Sequence, residues 1–336
     1  MKRHSNIAVF IPHLGCHNSC IFCSQTRITG VLRTEPDIND ELFRVNDAIE
    51  RGLSTLKSGE AEIAFFGGSF TGIGEDRMIR LLECASSHIG GFVKGIRCST
   101  RPDYVNQHIC DILKSHGVTA VELGIQSTDN RVLEAARRGH DADTAKRACA
   151  IIKKNGFELG GQMMVGLPLS TSDSEIKTAE DIVSCGADTC RIYPLVVFEN
   201  TPLYDMVKSG EYIPLTTEEA VTRAAACARV FIKHKVEILR IGLHSSENLA
   251  CAPYGANHPA IGELAEGEIY FGLIKELLDG VNPEKNGITV RIPKGELSKC
   301  IGQKGINRSR LEQLYKIKIR FSEEDGIEKY NVNIYV

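Results

Sequence analysis

No stretch of this sequence is apolar for long enough to cross a membrane. About 18 consecutive apolar residues are needed, and no run here approaches that. The opening segment, Met1–Phe10, lacks the long apolar core of a secretory signal. No glycine-rich dinucleotide fingerprint stands at the first strand-to-helix turn. There is no low-complexity tract and no internal repeat beyond a βα unit. A net charge of −3 points to no particular partner by itself. These absences lead to the expectation of a soluble, unexported, cytoplasmic protein with no membrane partner. Hydrophobic residues make up 42% of the 336, enough for a sizeable core. The length exceeds one average domain, but a (β/α) barrel can use most of it as one unit.

Cysteine, by contrast, is plentiful. Twelve are present, and in an exported chain they would suggest disulfides. With no export signal, reduced thiols are available as metal ligands. Only Cys16, Cys20 and Cys23 cluster tightly. Charge is also unevenly spread. Between Ile288 and Arg320 nine basic residues face only Glu296 and Glu312, a local balance of +7 that leaves −10 elsewhere. A basic segment on an acidic body suggests a polyanionic partner.

Short β-rich runs alternate with amphipathic stretches. The runs are Ile7–Pro12, Ala61–Gly68, Ile96–Pro102, Thr119–Ser127, Leu159–Pro168, Thr189–Val197 and Glu237–Leu243. Helix-like stretches between them include Asp40–Leu56, Glu75–His88, Asp103–His116, Thr144–Asn155, Ser174–Cys185 and Thr217–His234. The alternation predicts an α/β fold of parallel strands with crossover helices. Six such units are too few for a closed eight-stranded barrel, so an open, partial (β/α)6 barrel fits best. Gly67-Gly68-Ser69, Thr100-Arg101-Pro102, Gln126-Ser127 and Gly166-Leu167-Pro168 all fall at C-terminal strand ends. Function gathers at that face in such barrels. A helix, Ile261–Leu278, and a linker beginning at Asp279 follow. The expected domains are 1–280 and 284–336.

Cys16, Cys20 and Cys23 have the spacing CxxxCxxC in the loop after the first strand. Three thiolates can hold three irons of a 4Fe-4S cluster and leave the fourth open. Zinc is the competing reading, with His13 or His17 as fourth ligand. Buried structural thiols are the other.

CxxxCxxC with an aromatic before its last cysteine resembles the signature of the radical S-adenosylmethionine (SAM) superfamily. The resemblance runs over about residues 5 to 275. It includes Gly67-Gly68-Ser69-Phe70, Ser99-Thr100-Arg101-Pro102-Asp103-Tyr104, Val121–Ser127 and Arg138-Gly139-His140. These segments look like the radical SAM domain of the Elongator catalytic subunit, and more distantly like oxygen-independent coproporphyrinogen oxidase. The resemblance implies a 4Fe-4S cluster on Cys16, Cys20 and Cys23, with SAM chelating the open iron. It implies reductive cleavage of SAM to a 5′-deoxyadenosyl radical that takes a substrate hydrogen. A reducing protein such as ferredoxin or flavodoxin would supply the electron.

The resemblance also assigns SAM contacts to Phe22, Gly67, Gly68, Gln126, Arg138 and Gln162. Glycine lets backbone approach a ligand because no Cβ intervenes, and a guanidinium can pair with a carboxylate as a fork. Arg137 competes with its neighbour Arg138. Ser99 stands where relatives often have glutamate. Arg101 is either in the barrel mouth or a structural ion-pair partner. Tyr193 and Pro194 are candidates for the substrate cavity, with core packing the other reading. Cys251 and His258 lie in the loop after the barrel, where a packed thiol is the simpler reading. Cys84, Cys110, Cys149 and Cys227 fall in helix-like stretches and read as core.

The last segment reads as strand Ile288–Pro293, helix Gly295–Ile301, Gly302-Gln303-Lys304-Gly305, helix Ile306–Tyr315, strand Ile317–Phe321 and strand Asn331–Val336. The order β-α-GxxG-α-β-β resembles the KH domain, an α+β nucleic-acid module. Gly302, Gln303, Lys304, Gly305 and Arg308 are the implied RNA contacts, with Arg310 an added phosphate contact. The competing reading is a helix-turn with a solvated charged face.

Taken together, the chain reads as an RNA-modifying transferase of the radical SAM type, with tRNA the favoured partner. The alternatives are a radical SAM enzyme on a small molecule such as a tetrapyrrole, and a non-enzymatic iron-sulfur RNA-binding protein. Two departures from the Elongator subunit stand out. That subunit also carries an acetyltransferase domain, and its cysteine spacing is longer.

Overall fold

The computed structural model describes residues 4–11, 14–16, 20–23, 37–56, 58–243, 249, 251–280 and 287–335. Seven parallel strands form one sheet: β1 His4–Ile11, β2 Glu60–Gly67, β3 Val93–Thr100, β4 Val118–Gln126, β5 Glu158–Val165, β6 Thr189–Pro194 and β8 Glu237–Ile241, the short β7 Val196–Val197 lying outside it. Neighbours in the sheet are neighbours in sequence, and the two end strands β1 and β8 do not pair. The sheet therefore stays open, as the partial-barrel reading expects, with a seventh strand added to the six βα units.

The crossover helices are α1 Ile38–Thr55, α2 Glu75–Ser86, α3 Gln107–Ser115, α4 Asn130–Ala135, α5 Ala142–Lys154, α6 Ser172–Ser184, α7 Pro202–Ser209 and α8 Thr217–Lys233. Their starts are marked by side-chain caps. Asp141 accepts from the Thr144 amide before α5, and Thr171/Ser174 and Thr216/Glu219 form capping boxes at α6 and α8. Alternate strand residues such as Ile63, Phe65, Cys98, Val121, Leu123 and Ile192 are buried beneath these helices in one continuous core.

The opposite face of the sheet is polar. Parallel strands usually read as apolar on both faces. Here Arg97 of β3 pairs with Glu62 of β2 at 2.8 Å and Glu158 of β5 at 2.7 Å. Arg191 of β6 grips Glu122 of β4 at 2.7 and 3.1 Å. The Arg191 guanidinium also lies 5.2 Å from the Phe66 ring on β2. Buried charges survive when paired and hydrogen-bonded. This network links β2, β3, β4, β5 and β6 across the concave face.

After β8, the two-residue β9 Tyr254–Gly255 pairs antiparallel with β7. Helix α9, Ile261–Asp279, follows. One face of α9 joins the barrel core through Ala265 and Ile269. The other, through Tyr270, Phe271, Ile274 and Leu278, belongs to the core of the C-terminal module. The helix is thus common to both units, and the linker expected from Asp279 lies largely in 281–286, outside the described residues.

In that module β10 Ile288–Pro293 is the central strand, parallel to β11 Ile319–Glu324 and antiparallel to β12 Asn333–Tyr335. Helices α10 Leu297–Ile301 and α11 Ile306–Tyr315 cross from β10 to β11 with the GxxG turn between them. Among the described residues, no helix is long and apolar enough to cross a membrane.

Candidate active site

The cysteine loop is fastened at both ends. The Ser69 amide donates to the Leu14 carbonyl at 3.1 Å. A Cβ on Gly68 would stand 2.2 Å from that carbonyl oxygen, and one on Gly15 would stand 2.0 Å from the Ser69 oxygen. The glycine pair at the end of β2 therefore lets two backbones interlock, with Gly67 in the left-handed region at φ 112°. At the far end, the Ile21 amide donates to Ala136 at 3.3 Å, and the Leu203 amide donates to Ile21 at 3.0 Å. Phe22 packs against an apolar cluster that includes Ile21, Val132, Leu167, Leu195 and Leu203.

Two arginines meet this loop. Arg138 is buried; its Nη1 donates to Cys20 Sγ at 3.0 Å and its Nη2 to the Gly124 carbonyl at 2.6 Å. Arg137 is exposed, so the structure separates the two neighbours. Arg101 is held by Asp103 as a two-point fork at 2.9 and 2.8 Å, donates to the Arg138 carbonyl and lies 4.0 Å from Cys20 Sγ. Arg101 thus takes both roles the sequence left open, ion-pair partner and resident of the mouth. Beneath it Ser69, Thr71 and Thr100 form a buried hydroxyl cluster, and Ser69 Oγ accepts from the Arg101 amide.

Burial pushes the Cys16 thiol above its usual pKa, opposed by the Arg101 charge. Cys16 is half-buried, Cys20 buried and Cys23 exposed. Among the described residues, no three histidine, cysteine or acidic side chains gather as a metal-binding group. His13 and His17 lie outside the described residues.

Several polar atoms at the mouth are buried without a partner: Gln126 Oε1, Arg138 Nε and His140 Nε2. Buried polar groups are normally hydrogen-bonded. Gln126 is held with φ at 68°, a strained conformation for a non-glycine residue. Gly124 makes room for this pair, since a Cβ there would lie 3.0 Å from Gln126 Nε2 and 3.4 Å from Arg138 Nη2. Burial and then the Arg138 charge lower His140 to about 4, so its imidazole is neutral at physiological pH.

The chemistry of the donor set fits the implied cluster and cofactor. Thiols are soft iron ligands, the adjacent guanidinium groups offset thiolate charge, and the orphaned atoms suit a polar ligand. Gln162 stands lower. Its amide nitrogen donates to Glu122 at 2.8 Å and Ser99 at 3.1 Å, which leaves only its oxygen for other contacts.

Other sequence candidates fall elsewhere. His258 Nδ1 accepts from the Ala260 amide at 3.1 Å, and Cys251 is exposed. Cys110, Cys149 and Cys227 are buried core, with Cys84 partly so. The hydroxyl cluster, Gly124 and the Arg97–Glu122–Arg191 network were not singled out from sequence. A charged residue on alternate positions of otherwise apolar strands was the available signal.

In the C-terminal module, Gly302, Lys304 and Gly305 all have positive φ, as a tight turn requires. That turn faces the barrel. A cleft of about 150 Å³ separates them, lined by Glu218, Glu263 and Glu268 on one wall and Gly302, Gln303 and Arg310 on the other. Asn307 Nδ2 donates to the Gly267 carbonyl of α9 at 2.8 Å. Arg310 pairs with Glu268 at 2.7 Å and Lys299 with Glu266 at 2.7 Å. Arg291 pairs with Glu324 and Lys294 with Asp325. Among the described residues, Lys304, Arg308, Lys316 and Arg320 have no ion pair closer than 4 Å. Arg308 and Arg320 border a second cleft of about 540 Å³ with Lys318 and Thr289.

An open parallel half-barrel with a cysteine loop at its mouth places the chain in the α/β partial-barrel class. The family model for the radical SAM superfamily matches residues 10–182, and that for the radical SAM C-terminal domain matches residues 187–270. The chain belongs to the radical SAM superfamily, and the fold and the resemblance read from sequence agree with this.

Among curated proteins, it is 36% identical over 125 residues to a tRNA uridine(34) acetyltransferase of Methanocaldococcus jannaschii, covering 36% of this chain and 23% of that one. It is 30% identical over 188 residues to human Elongator complex protein 3, covering 49% and 34%. The chain therefore spans about a quarter to a third of these relatives. Among solved structures, the archaeal Methanocaldococcus infernus Elp3 aligns with a TM-score of 0.60 at 21% identity, covering 85% of this chain and 70% of that one. Coproporphyrinogen III oxidase from Escherichia coli aligns at 0.51 with 16% identity, covering 69% and 53%. These two likenesses show the fold.

Proposed function

We propose that this chain cleaves SAM at a 4Fe-4S cluster held by Cys16, Cys20 and Cys23, and directs the chemistry to RNA, with tRNA the favoured substrate. The carrying observation is the buried polar set at the mouth. Arg138 touches Cys20 and keeps an unpartnered Nε, and Gln126 keeps an unpartnered Oε1 in a strained backbone. Groups left in this state suit a polar ligand beside the cysteine loop. When bound, the cluster supplies the electron that breaks the sulfonium bond of SAM. The protein's own part is placement: Arg138 for a carboxylate, Phe22 for an apolar ring, Gln126 for a donor. His140 stays neutral and Phe22 sits in apolar packing, so Arg101 and Arg138 supply the positive charge at the mouth.

RNA as target is supported by the names of the curated relatives and by the KH-like C-terminal order. Because Gly302 and Gln303 of the GxxG turn line the cleft against Glu218, Glu263 and Glu268, we assign RNA phosphates first to the cations without an ion pair among the described residues, Lys304, Arg308, Lys316 and Arg320. A soluble reducing protein is the proposed electron source, and the cytoplasm the proposed location.

The test has two arms. The full chain, reconstituted anaerobically and reduced with SAM, is expected to yield methionine and 5′-deoxyadenosine; none would sink the enzymatic reading. Nucleoside profiles of total RNA from cells with and without the gene are expected to differ by one modified nucleoside. Unchanged profiles with SAM cleavage intact would move the substrate to a small molecule.

A further inference from the structure

We propose that Arg240 and Tyr193, on the concave face where β6 meets β8, form a subsite for a phosphate group of the substrate. The proposal rests on the reading of this barrel as an enzyme acting on a nucleotide. It concerns a place in the lumen distinct from the cysteine loop and from the C-terminal module.

Three arginines point along the concave face, and they are not treated alike. Arg97 has Glu62 and Glu158. Arg191 has both oxygens of Glu122. Arg240 is the Cα partner of Arg191 across the β6–β8 ladder, so its side chain leaves the sheet on the same face. It is half-buried, and among the described residues it has neither an ion pair nor a hydrogen bond to an acceptor. Among the described residues its titratable neighbours are the Arg191 cation, which repels it, and the neutral Tyr193 hydroxyl. A partly desolvated cation beside a second cation is unfavourable unless an anion joins it.

Tyr193 is next but one to Arg191 on β6 and follows it on the same face. Burial pushes its hydroxyl up to about 12, so it stays protonated and can donate. A guanidinium fork and a phenol hydroxyl, both donors, lie side by side on this face, and Glu122, the carboxylate that acts on Tyr193, is already gripped by Arg191. That set matches an oxyanion with several acceptor oxygens, which a phosphate provides. β8 is also the open edge of the sheet, the side on which an extended substrate could leave the lumen.

The test measures binding to the full reconstituted chain by calorimetry, with uridine 5′-monophosphate, uridine, inorganic phosphate and malonate as probes. The monophosphate is expected to bind about tenfold more tightly than uridine, the scale of one charge-assisted contact. Arg240→Gln is expected to remove that advantage and leave uridine unchanged; Arg240→Lys keeps part of it. Tyr193→Phe gives a smaller loss and stands in if Arg240→Gln fails to fold. Inorganic phosphate competing with the monophosphate supports the subsite. Equal monophosphate affinity in wild type and Arg240→Gln overturns it, as does tighter binding of malonate than of phosphate. The two readings fail separately. If the monophosphate binds through Arg240 while RNA is neither bound nor altered, the RNA reading falls and the subsite stands. If Arg240→Gln alters RNA as well as wild type does, the subsite falls and the RNA reading stands.

Discussion

The barrel mouth and the GxxG turn carry similar polar and cationic side chains, yet the fold uses them in opposite ways. At the mouth, Arg138 and Gln126 are buried with atoms that find no partner. At the turn, neighbouring Arg310 and Asn307 are taken up by Glu268 and the Gly267 carbonyl of α9, although the Nε of Arg308 between them is buried without a partner. A polar group buried unsatisfied is a liability unless a ligand answers it. A cation already paired has little to offer a new anion. The contrast ranks the mouth above the turn as a place of ligand contact, although sequence gave both a recognisable motif.

The largest effect should come from the loop itself. Cys20→Ala is expected to abolish cluster incorporation, read as loss of iron, labile sulfide and charge-transfer absorbance, with SAM cleavage falling to background. Wild-type iron content in this variant would remove the cluster assignment. Arg138→Met comes next. It keeps the bulk but removes the contact to Cys20, and SAM cleavage should fall about 10–100-fold, the usual cost of losing a group behind a metal ligand. The same change at exposed Arg137 should leave cleavage as in wild type. A reversal of that order would exchange their roles.

A backbone test sharpens the same comparison. Gly68→Ala places a methyl 2.2 Å from the Leu14 oxygen, so one of two interlocked backbones must move. Overpacking of this kind costs about 1–3 kcal/mol, visible as a lowered denaturation midpoint along with reduced iron content. Gly295→Ala meets no atom within 4 Å and carries only the strain of its φ of 85°, so it should leave iron content alone.

How much of this was legible beforehand differs between the two regions. The barrel could be read because apolar runs and amphipathic stretches alternate over most of the chain, and because three cysteines in eight residues are rarely structural. Helices α4 and α7 were missed. They span only Asn130–Ala135 and Pro202–Ser209, too short for helical periodicity to rise above the loops around them. The GxxG turn was legible as a turn, but its orientation was not. Nothing local announces that Asn307 will reach Gly267, forty positions back in the chain. For the same reason the +7 segment overstated the free positive charge, since Lys299 and Arg310 find carboxylates on α9. The lumen network escaped notice because each strand contributes a single charged residue, and only the parallel register brings them together.

The charge comparison can be broken with RNA. Arg308→Gln and Arg320→Gln should each weaken binding of a single-stranded oligonucleotide and reduce the salt slope by about 0.7 per lost phosphate contact. Arg310→Gln should leave that slope unchanged, because Glu268 already holds the guanidinium. A fall in slope for Arg310 alone would mean that the turn swings away from α9 to meet RNA.

The smallest expected effect concerns pH, and it tests the docking that hides the turn. Burial raises the Glu266 carboxyl, but Lys299 and Lys329, at 2.7 and 2.5 Å, outweigh it and hold the pKa below the usual 4.5. A carboxylate whose folded pKa is depressed contributes stability that is present above its unfolded pKa and is lost as pH falls through the folded one. The C-terminal module should therefore stay docked at neutral pH and loosen as pH drops below about 4.5. Amide exchange on α10 and α11 should rise over that window sooner than exchange on β3 and β4. Glu266→Gln should show the looser pattern already at pH 7. Equal protection in wild type and variant would mean that the apolar contacts of Tyr270, Phe271 and Ile274 hold the module on α9 without help from charge.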